Sequence, residues 1–76
     1  NRPYVIGPPL PNTVIEIQKI DMKITGVLIQ GAQACALING KTLFVGDMLD
    51  NRILVRAIKP DEVEFVFRGV IFARQF

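Results

Sequence analysis

Hydrophobic residues recur mostly at every second position of this chain, which is the spacing of strands that bury one face. From Thr13 onward the chain is rich in Val, Ile, Phe and Thr, and turn residues interrupt it at short intervals. The pattern predicts strands over residues 14–20, 21–29, 34–38, 41–45, 52–58, 63–68 and 70–74. No segment keeps a helical period, so we predict an all-β fold, a small sandwich or half-open barrel of five to seven short strands.

The clearest local signal is the dipeptide Asn39-Gly40 between two apolar runs. Both central residues of a type I′ turn need a positive φ, and Asn-Gly satisfies that need best. A two-residue turn places three pairs opposite each other: Ile38 and Lys41, Ala36 and Leu43, Ala34 and Val45. The other face then carries Cys35, Leu37, Thr42 and Phe44. Because both faces are largely apolar, we expect this hairpin to be covered on both sides or to present one face to a partner.

Further turns are predicted at Gly46-Asp47, at 59–62 around Pro60, and at Arg68-Gly69. The last of these reverses the chain, so that a set of large apolar side chains shares one face of a hairpin. This predicted centre of the core consists of Val63, Phe65, Phe67, Val70 and Phe72. The acidic residues Asp61, Glu62 and Glu64 surround the turn before it and are expected to face solvent.

Residues 1–13 are expected to form a proline-rich leader ahead of a folded domain over residues 14–76. Four of the five prolines lie in this leader, and proline has no backbone donor for a strand ladder. We therefore predict that the leader is extended and lies outside the sheets. Its apolar residues Tyr4, Val5 and Ile6 would dock on the domain or contact a partner.

Chemistry is restricted by what the composition lacks. The 76 residues include no His, no Ser and a single Cys, so the usual nucleophile–base pairs cannot be assembled and zinc or copper sites are nearly excluded. Asp47 and Asp50 are interpreted as turn residues rather than as an acid–base pair. We therefore predict no catalytic residues, no metal site and no cofactor. With a net charge of +2 and scattered basic residues, we also predict no nucleic-acid partner.

The order of turns resembles that of a known family. A hairpin at Asn39-Gly40, a Gly-Asp-x-Leu turn at 46–49, a Pro-Asp turn and a closing hairpin through Gly69 are similar to the GspC/PilP-type periplasmic homology-region domain. Members belong to type II secretion and type IV pilus systems, and related mannose-sensitive pilus proteins look similar. The resemblance covers roughly residues 20–76. It assigns structural roles to the turn residues Asn39, Gly40, Gly46, Asp47 and Gly69.

The resemblance implies a β-sandwich of about six antiparallel strands in two three-stranded sheets. It implies a periplasmic connector, tethered to the bacterial inner membrane by a segment outside this chain. Such a connector joins inner-membrane platform proteins to the periplasmic N-terminal domain of the outer-membrane secretin. A lone Cys35 is unusual for this compartment unless it is buried as a small hydrophobe.

We expect the partner surface to involve the first strand and the neighbouring hairpin, because apolar residues occupy both faces there. Arg52 and Arg56, on one face of a later strand, could add a basic stripe for an acidic partner. The predicted partner-binding residues are Met22, Lys23, Ile24, Thr25, Gly26, Val27, Arg52 and Arg56. The alternative is a small β-barrel that binds nucleic acid or another protein, which would need aromatic side chains exposed between basic ones.

Overall fold

The computed structural model describes residues 3–76, which form two antiparallel sheets and one short helix. The elements in chain order are β1 (Pro3–Gly7), α1 (Pro11–Gln18), β2 (Ile24–Gln30), β3 (Gln33–Ile38), β4 (Lys41–Phe44), β5 (Met48–Leu49), β6 (Ile53–Ile58), β7 (Glu62–Phe67) and β8 (Val70–Gln75). One sheet has the order β1-β8-β7-β6-β5 and the other has the order β2-β3-β4. The predicted all-β fold is confirmed, and the sheets do not close into a barrel. The strands divide five and three rather than three and three, because β1 and β5 extend one sheet.

The hairpin of β7 and β8 forms the centre of the larger sheet. Its register places Phe65 opposite Phe72 and Phe67 opposite Val70, so these residues share a face. The Phe65 and Phe72 rings stack with their centroids 5.3 Å apart. The predicted core face is confirmed, since all its members are buried: Val63, Phe65, Phe67, Val70 and Phe72.

The strand predicted over residues 14–20 is wrong, because Pro11–Gln18 forms a helix. Pro11 occupies the first turn, where an α-helix has no partner for a backbone N–H. Ile17 is buried while Ile15 is half exposed, so the helix directs one side toward the core. An apolar run this short fits either period, and packing decides between them. No helix within residues 3–76 is long and apolar enough to cross a membrane.

The prediction that the proline-rich leader lies outside the sheets is wrong for residues 3–7. They form β1, an edge strand that pairs with β8 and bulges between Val5 and Gly7. Pro3 is tolerated because it is the first residue of an edge strand, where its missing N–H leaves no ladder bond unmade. Residues 1 and 2 of the predicted leader lie outside the described residues.

The smaller sheet packs its inner face on the same core. Ile24, Ile38 and Leu43 are buried in a cluster that also includes Ile17 of the helix. The chain leaves this sheet after β4 and joins the larger one through a pair of backbone bonds. The N–H of Gly46 donates to the carbonyl of Val55, and the N–H of Val55 donates to the carbonyl of Asp47. One side of the smaller sheet is therefore fixed to the larger sheet, while β2 forms its other edge.

Candidate interaction surface

The smaller sheet is shaped by the turn at Asn39-Gly40. Both residues have positive φ, 51° and 78°, as a type I′ turn requires. The predicted register is confirmed for Ile38 with Lys41 and for Ala36 with Leu43. Turn chemistry and hydrophobic pattern agree here, so one face of the hairpin faces the core and the other faces outward.

Asn39 also ties this turn to the segment that precedes β2. Its Oδ1 accepts a bond of 2.8 Å from the Lys23 N–H, and its Nδ2 donates 3.2 Å to the Asp21 carbonyl. The Asn39 N–H donates to the Lys23 carbonyl at 2.9 Å. These contacts fix where the edge strand β2 begins.

The other predicted turn residues also hold turn conformations. Gly46 has a φ of 96°, and the Asp47 carboxylate accepts a bond of 2.8 Å from the Phe44 N–H. Gly69 has a φ of 80° and follows Arg68, whose φ is 50°. A left-handed conformation at Gly46 and Gly69 costs little because glycine has no Cβ.

The outer face of the smaller sheet is apolar and exposed. The registers place Leu28, Cys35 and Phe44 in one row across β2, β3 and β4, and Leu37 lies in the next row. Leu28, Leu37 and Phe44 are 55%, 44% and 47% exposed, and Cys35 is half-buried. A shallow pocket of about 180 Å³ opens between Leu28, Cys35 and Phe44. We call these four residues (Leu28, Cys35, Leu37 and Phe44) the small-sheet surface.

The edge strand β2 lies beside this surface and is unprotected. Its seven residues include no charge and no proline, the features that usually block pairing at an edge. The other three edges are better guarded: β1 contains Pro3 and a bulge, β5 has only two residues, and β4 is four residues long and begins with the charged Lys41. A bulge between Ile24 and Gly26 affects only the start of β2. The remainder of β2 can accept a strand from another chain.

The predicted residues of the first strand divide between core and surface. Met22 and Ile24 are buried, because they pack into the cluster between the sheets. Lys23 and Thr25 are exposed, and Gly26 and Val27 are half-buried on β2. Met22 and Ile24 therefore support the surface from beneath instead of contacting a partner with their side chains. Leu28, one residue beyond the predicted segment, is the most exposed apolar side chain of β2.

Arg52 and Arg56 contact different neighbours and do not form a stripe. The Arg52 guanidinium lies over the Phe67 ring, 5.7 Å from its centroid. Arg56 lies at a bulge of β6 and binds the Glu64 carboxylate. The bulge changes the alternation of side chains between Val55 and Ala57, which sequence spacing alone does not reveal.

The acidic residues 62 and 64 are buried, contrary to the expectation that they face solvent. The Tyr4 hydroxyl donates to the Glu62 carboxylate at 2.7 Å, and Lys59 Nζ lies 2.7 Å from Glu64 Oε2. The Lys59 hydrogen bond lowers the pKa of Glu64, and the same bond raises the pKa of Lys59. The bond to Glu62 raises the pKa of Tyr4. The Tyr4–Glu62 bond ties β1 to β7 across the intervening strand β8.

Comparisons with known protein families, with characterised proteins and with solved structures found no significant match. The similarity to the periplasmic homology-region domain therefore stays a prediction made from the turn order. No three Cys, Asp or Glu side chains of residues 3–76 are grouped closely enough to hold a metal ion. The small-sheet surface and the edge of β2 lie side by side and are both open to a partner.

Proposed function

We propose that this chain is a non-enzymatic connector domain of a bacterial secretion or type IV pilus assembly machine. It links the inner-membrane platform proteins to the periplasmic N-terminal domain of the outer-membrane secretin. It acts in the periplasm, and any membrane anchor lies in a segment outside this chain. The partner and the compartment are taken from the resemblance in turn order, whereas the mode of binding is argued from the geometry.

The observation that carries the proposal is an unprotected edge strand beside an exposed apolar face. Fully burying a Leu or Phe side chain contributes about 1.5–3 kcal/mol, so covering three half-exposed ones contributes roughly 2–4 kcal/mol. Association costs on the order of 4–15 kcal/mol, which this apolar contact alone does not offset. Backbone hydrogen bonds along β2 supply further stabilisation, so we expect the partner to use the edge and the face together.

The composition supports a role in binding more than one in catalysis. The sequence has neither His nor Ser, and its buried carboxylates at positions 62 and 64 are held by Tyr4, Lys59 and Arg56. A buried carboxylate needs such partners, because without them its charge would be left uncompensated inside the protein. The Tyr4–Glu62 bond is therefore assigned to the attachment of β1, and the ion pairs of Glu64 to the joining of β6 and β7.

The alternative of a nucleic-acid-binding module has less support. Such a module needs basic residues free to bind phosphates and aromatic side chains exposed among them. Arg56, Lys59 and Arg68 each form an ion pair with a glutamate of this chain. Exposed Phe44 lies among apolar neighbours of the small-sheet surface instead.

A titration monitored by NMR tests the proposal. Isotope-labelled chain is mixed with a purified secretin N-terminal domain, and amide shifts are followed residue by residue. We expect saturable shifts in β2, β3 and β4, with the largest along β2. Shifts concentrated at Phe65–Phe72 would overturn the location, and an unchanged spectrum at high partner concentration would overturn the partner.

A further inference from the structure

A second concave feature lies away from the small-sheet surface, between the end of α1 and the β7–β8 turn. It is a groove of about 290 Å³. Its charged and aromatic lining consists of Glu16, Lys19, Asp21, Arg52, Phe67 and Arg68. The proposed connector role does not use this groove.

Two guanidinium groups lie over one aromatic ring in the groove. The Cζ atoms of Arg52 and Arg68 are 5.7 Å and 5.3 Å from the centroid of Phe67. Attraction to the ring orients each planar guanidinium. A guanidinium attracted to a ring in this way still has N–H donors that can bind a ligand. Arg68 is held in addition by the left-handed turn that it forms with Gly69.

The two arginines differ in how their charge is balanced. Arg68 Nη1 lies 3.2 Å from Glu16 Oε1, and both side chains are largely exposed, so this pair is a weak one. Arg52 has no ion-pair partner within residues 3–76. Its guanidinium therefore lies over a ring and keeps N–H donors that can bind a ligand.

The charges that line the groove nearly cancel. The lining contains three basic residues, Lys19, Arg52 and Arg68, and two acidic ones, Glu16 and Asp21, which leaves an excess of one positive charge. One additional carboxylate balances this excess. A polyanion such as a nucleic-acid backbone is disfavoured, because its further phosphates would approach Glu16 and Asp21.

We propose that this groove binds one carboxylate side chain, Asp or Glu, presented by a protein partner. Arg52 is the main contact and binds the carboxylate through two parallel N–H donors, while Arg68 adds positive charge beside it. The groove is independent of the small-sheet surface. A negative result for the groove would leave the connector proposal untouched, and a negative result for the connector would leave the groove proposal untouched.

The test uses two capped peptides that differ only in one residue, a central Glu or a central Gln among Gly and Leu. Shifts of the Arg52 side-chain N–H and of the Phe67 ring protons are followed at fixed ionic strength. We expect saturable binding of the Glu peptide, and binding about tenfold weaker for the Gln peptide and for Arg52→Gln. Arg52→Lys keeps the charge but loses the planar fork, so we expect it to weaken binding as well.

Lys41→Gln is the matched control, because it removes one positive charge whose ammonium faces Asp50 and not the groove. We expect it to leave the affinity within about twofold of the original. A melting curve confirms that each variant is folded, and Arg68→Gln serves as a second groove variant. Equal binding of the two peptides, an unaffected Arg52→Gln variant, or tighter binding of inorganic phosphate than of the Glu peptide would overturn the proposal.

Discussion

The side chain of Asn39 is expected to contribute more to stability than its exposed turn position suggests. Asn39→Ala removes the acceptor for the Lys23 N–H and the donor to the Asp21 carbonyl. It also places alanine, which lacks the short polar side chain that lets asparagine tolerate a positive φ, where φ is 51°. Two separate costs are therefore combined in a single substitution.

Asn51 allows the two costs to be separated. Its φ of 55° is nearly the same as that of Asn39, and within residues 3–76 its side chain makes no hydrogen bond. Asn51→Ala should therefore cost only the left-handed strain, about 1–2 kcal/mol. Asn39→Ala should cost that amount plus two net hydrogen bonds at about 0.5–1.5 kcal/mol each. We expect the difference between the two variants to be about 1–2 kcal/mol, allowing for the exposure of the bonds.

Urea unfolding followed by circular dichroism measures both variants against the original chain. A domain of 76 residues has a total stability of about 4–11 kcal/mol, so the difference shifts the midpoint measurably. The slope of the free energy of unfolding against urea concentration should be the same for the two variants. Equal losses at Asn39 and Asn51 would refute the argument, because the bonds to Asp21 and Lys23 would then contribute nothing.

Three further outcomes follow from the packing and the ion pairs. Phe65→Ala removes a buried ring stacked on Phe72 and should cost about 3–5 kcal/mol, which should lower the midpoint of a circular dichroism melt by more than about 10 °C; an unchanged melt would show that the core is placed wrongly. Tyr4→Phe removes the donor to Glu62 and should speed hydrogen exchange in β1 while exchange in the core of β7 stays slow; unaltered β1 exchange would contradict the attachment. The pKa of Glu64 is lowered in the folded state. The ionised carboxylate therefore contributes fully to the free energy of unfolding above its unfolded-state pKa of about 4.3, and this contribution is lost as the pH falls through its folded-state pKa. Acid titration of unfolding should therefore show a loss that Glu64→Gln abolishes, and equal acid sensitivity of both proteins would speak against it.

Local signals predicted the parts of the fold where turn chemistry and hydrophobic spacing agree. Asn39-Gly40 determines the register of β3 with β4, since a two-residue turn allows only one pairing. The face containing Phe65 and Phe72 could also be predicted, because strict alternation reveals which residues point the same way.

The remaining elements depend on contacts that are distant in sequence. Whether Pro3–Gly7 pairs as a strand is decided by β8, which begins at Val70. Whether Pro11–Gln18 is a helix is decided by the burial of Ile17 in a core built from later strands. A short apolar run supports either structure until packing selects one.

The exposed apolar outer face of the smaller sheet was predictable from the sequence in kind. Two-sided apolar character around β2 and β3 indicates an outward apolar face, and such a face exists at Leu28, Leu37 and Phe44. The bulge between Ile24 and Gly26 changes which β2 residues point outward. A bulge depends on strand pairing and not on local composition, so spacing alone does not show which side chains at the start of β2 point outward.

The central claim is that a secretin domain binds the edge of β2 together with the small-sheet surface. Leu28→Lys places a charge on this edge, the usual means by which proteins block strand pairing. Ile15→Lys is the matched control, because Ile15 is 51% exposed and Leu28 is 55% exposed, and Ile15 lies on α1. Calorimetric titration of both variants with the purified secretin N-terminal domain should show binding weakened at least about tenfold by Leu28→Lys and unchanged by Ile15→Lys. Equal affinities for the two variants, or no binding by the original chain, would contradict the claim.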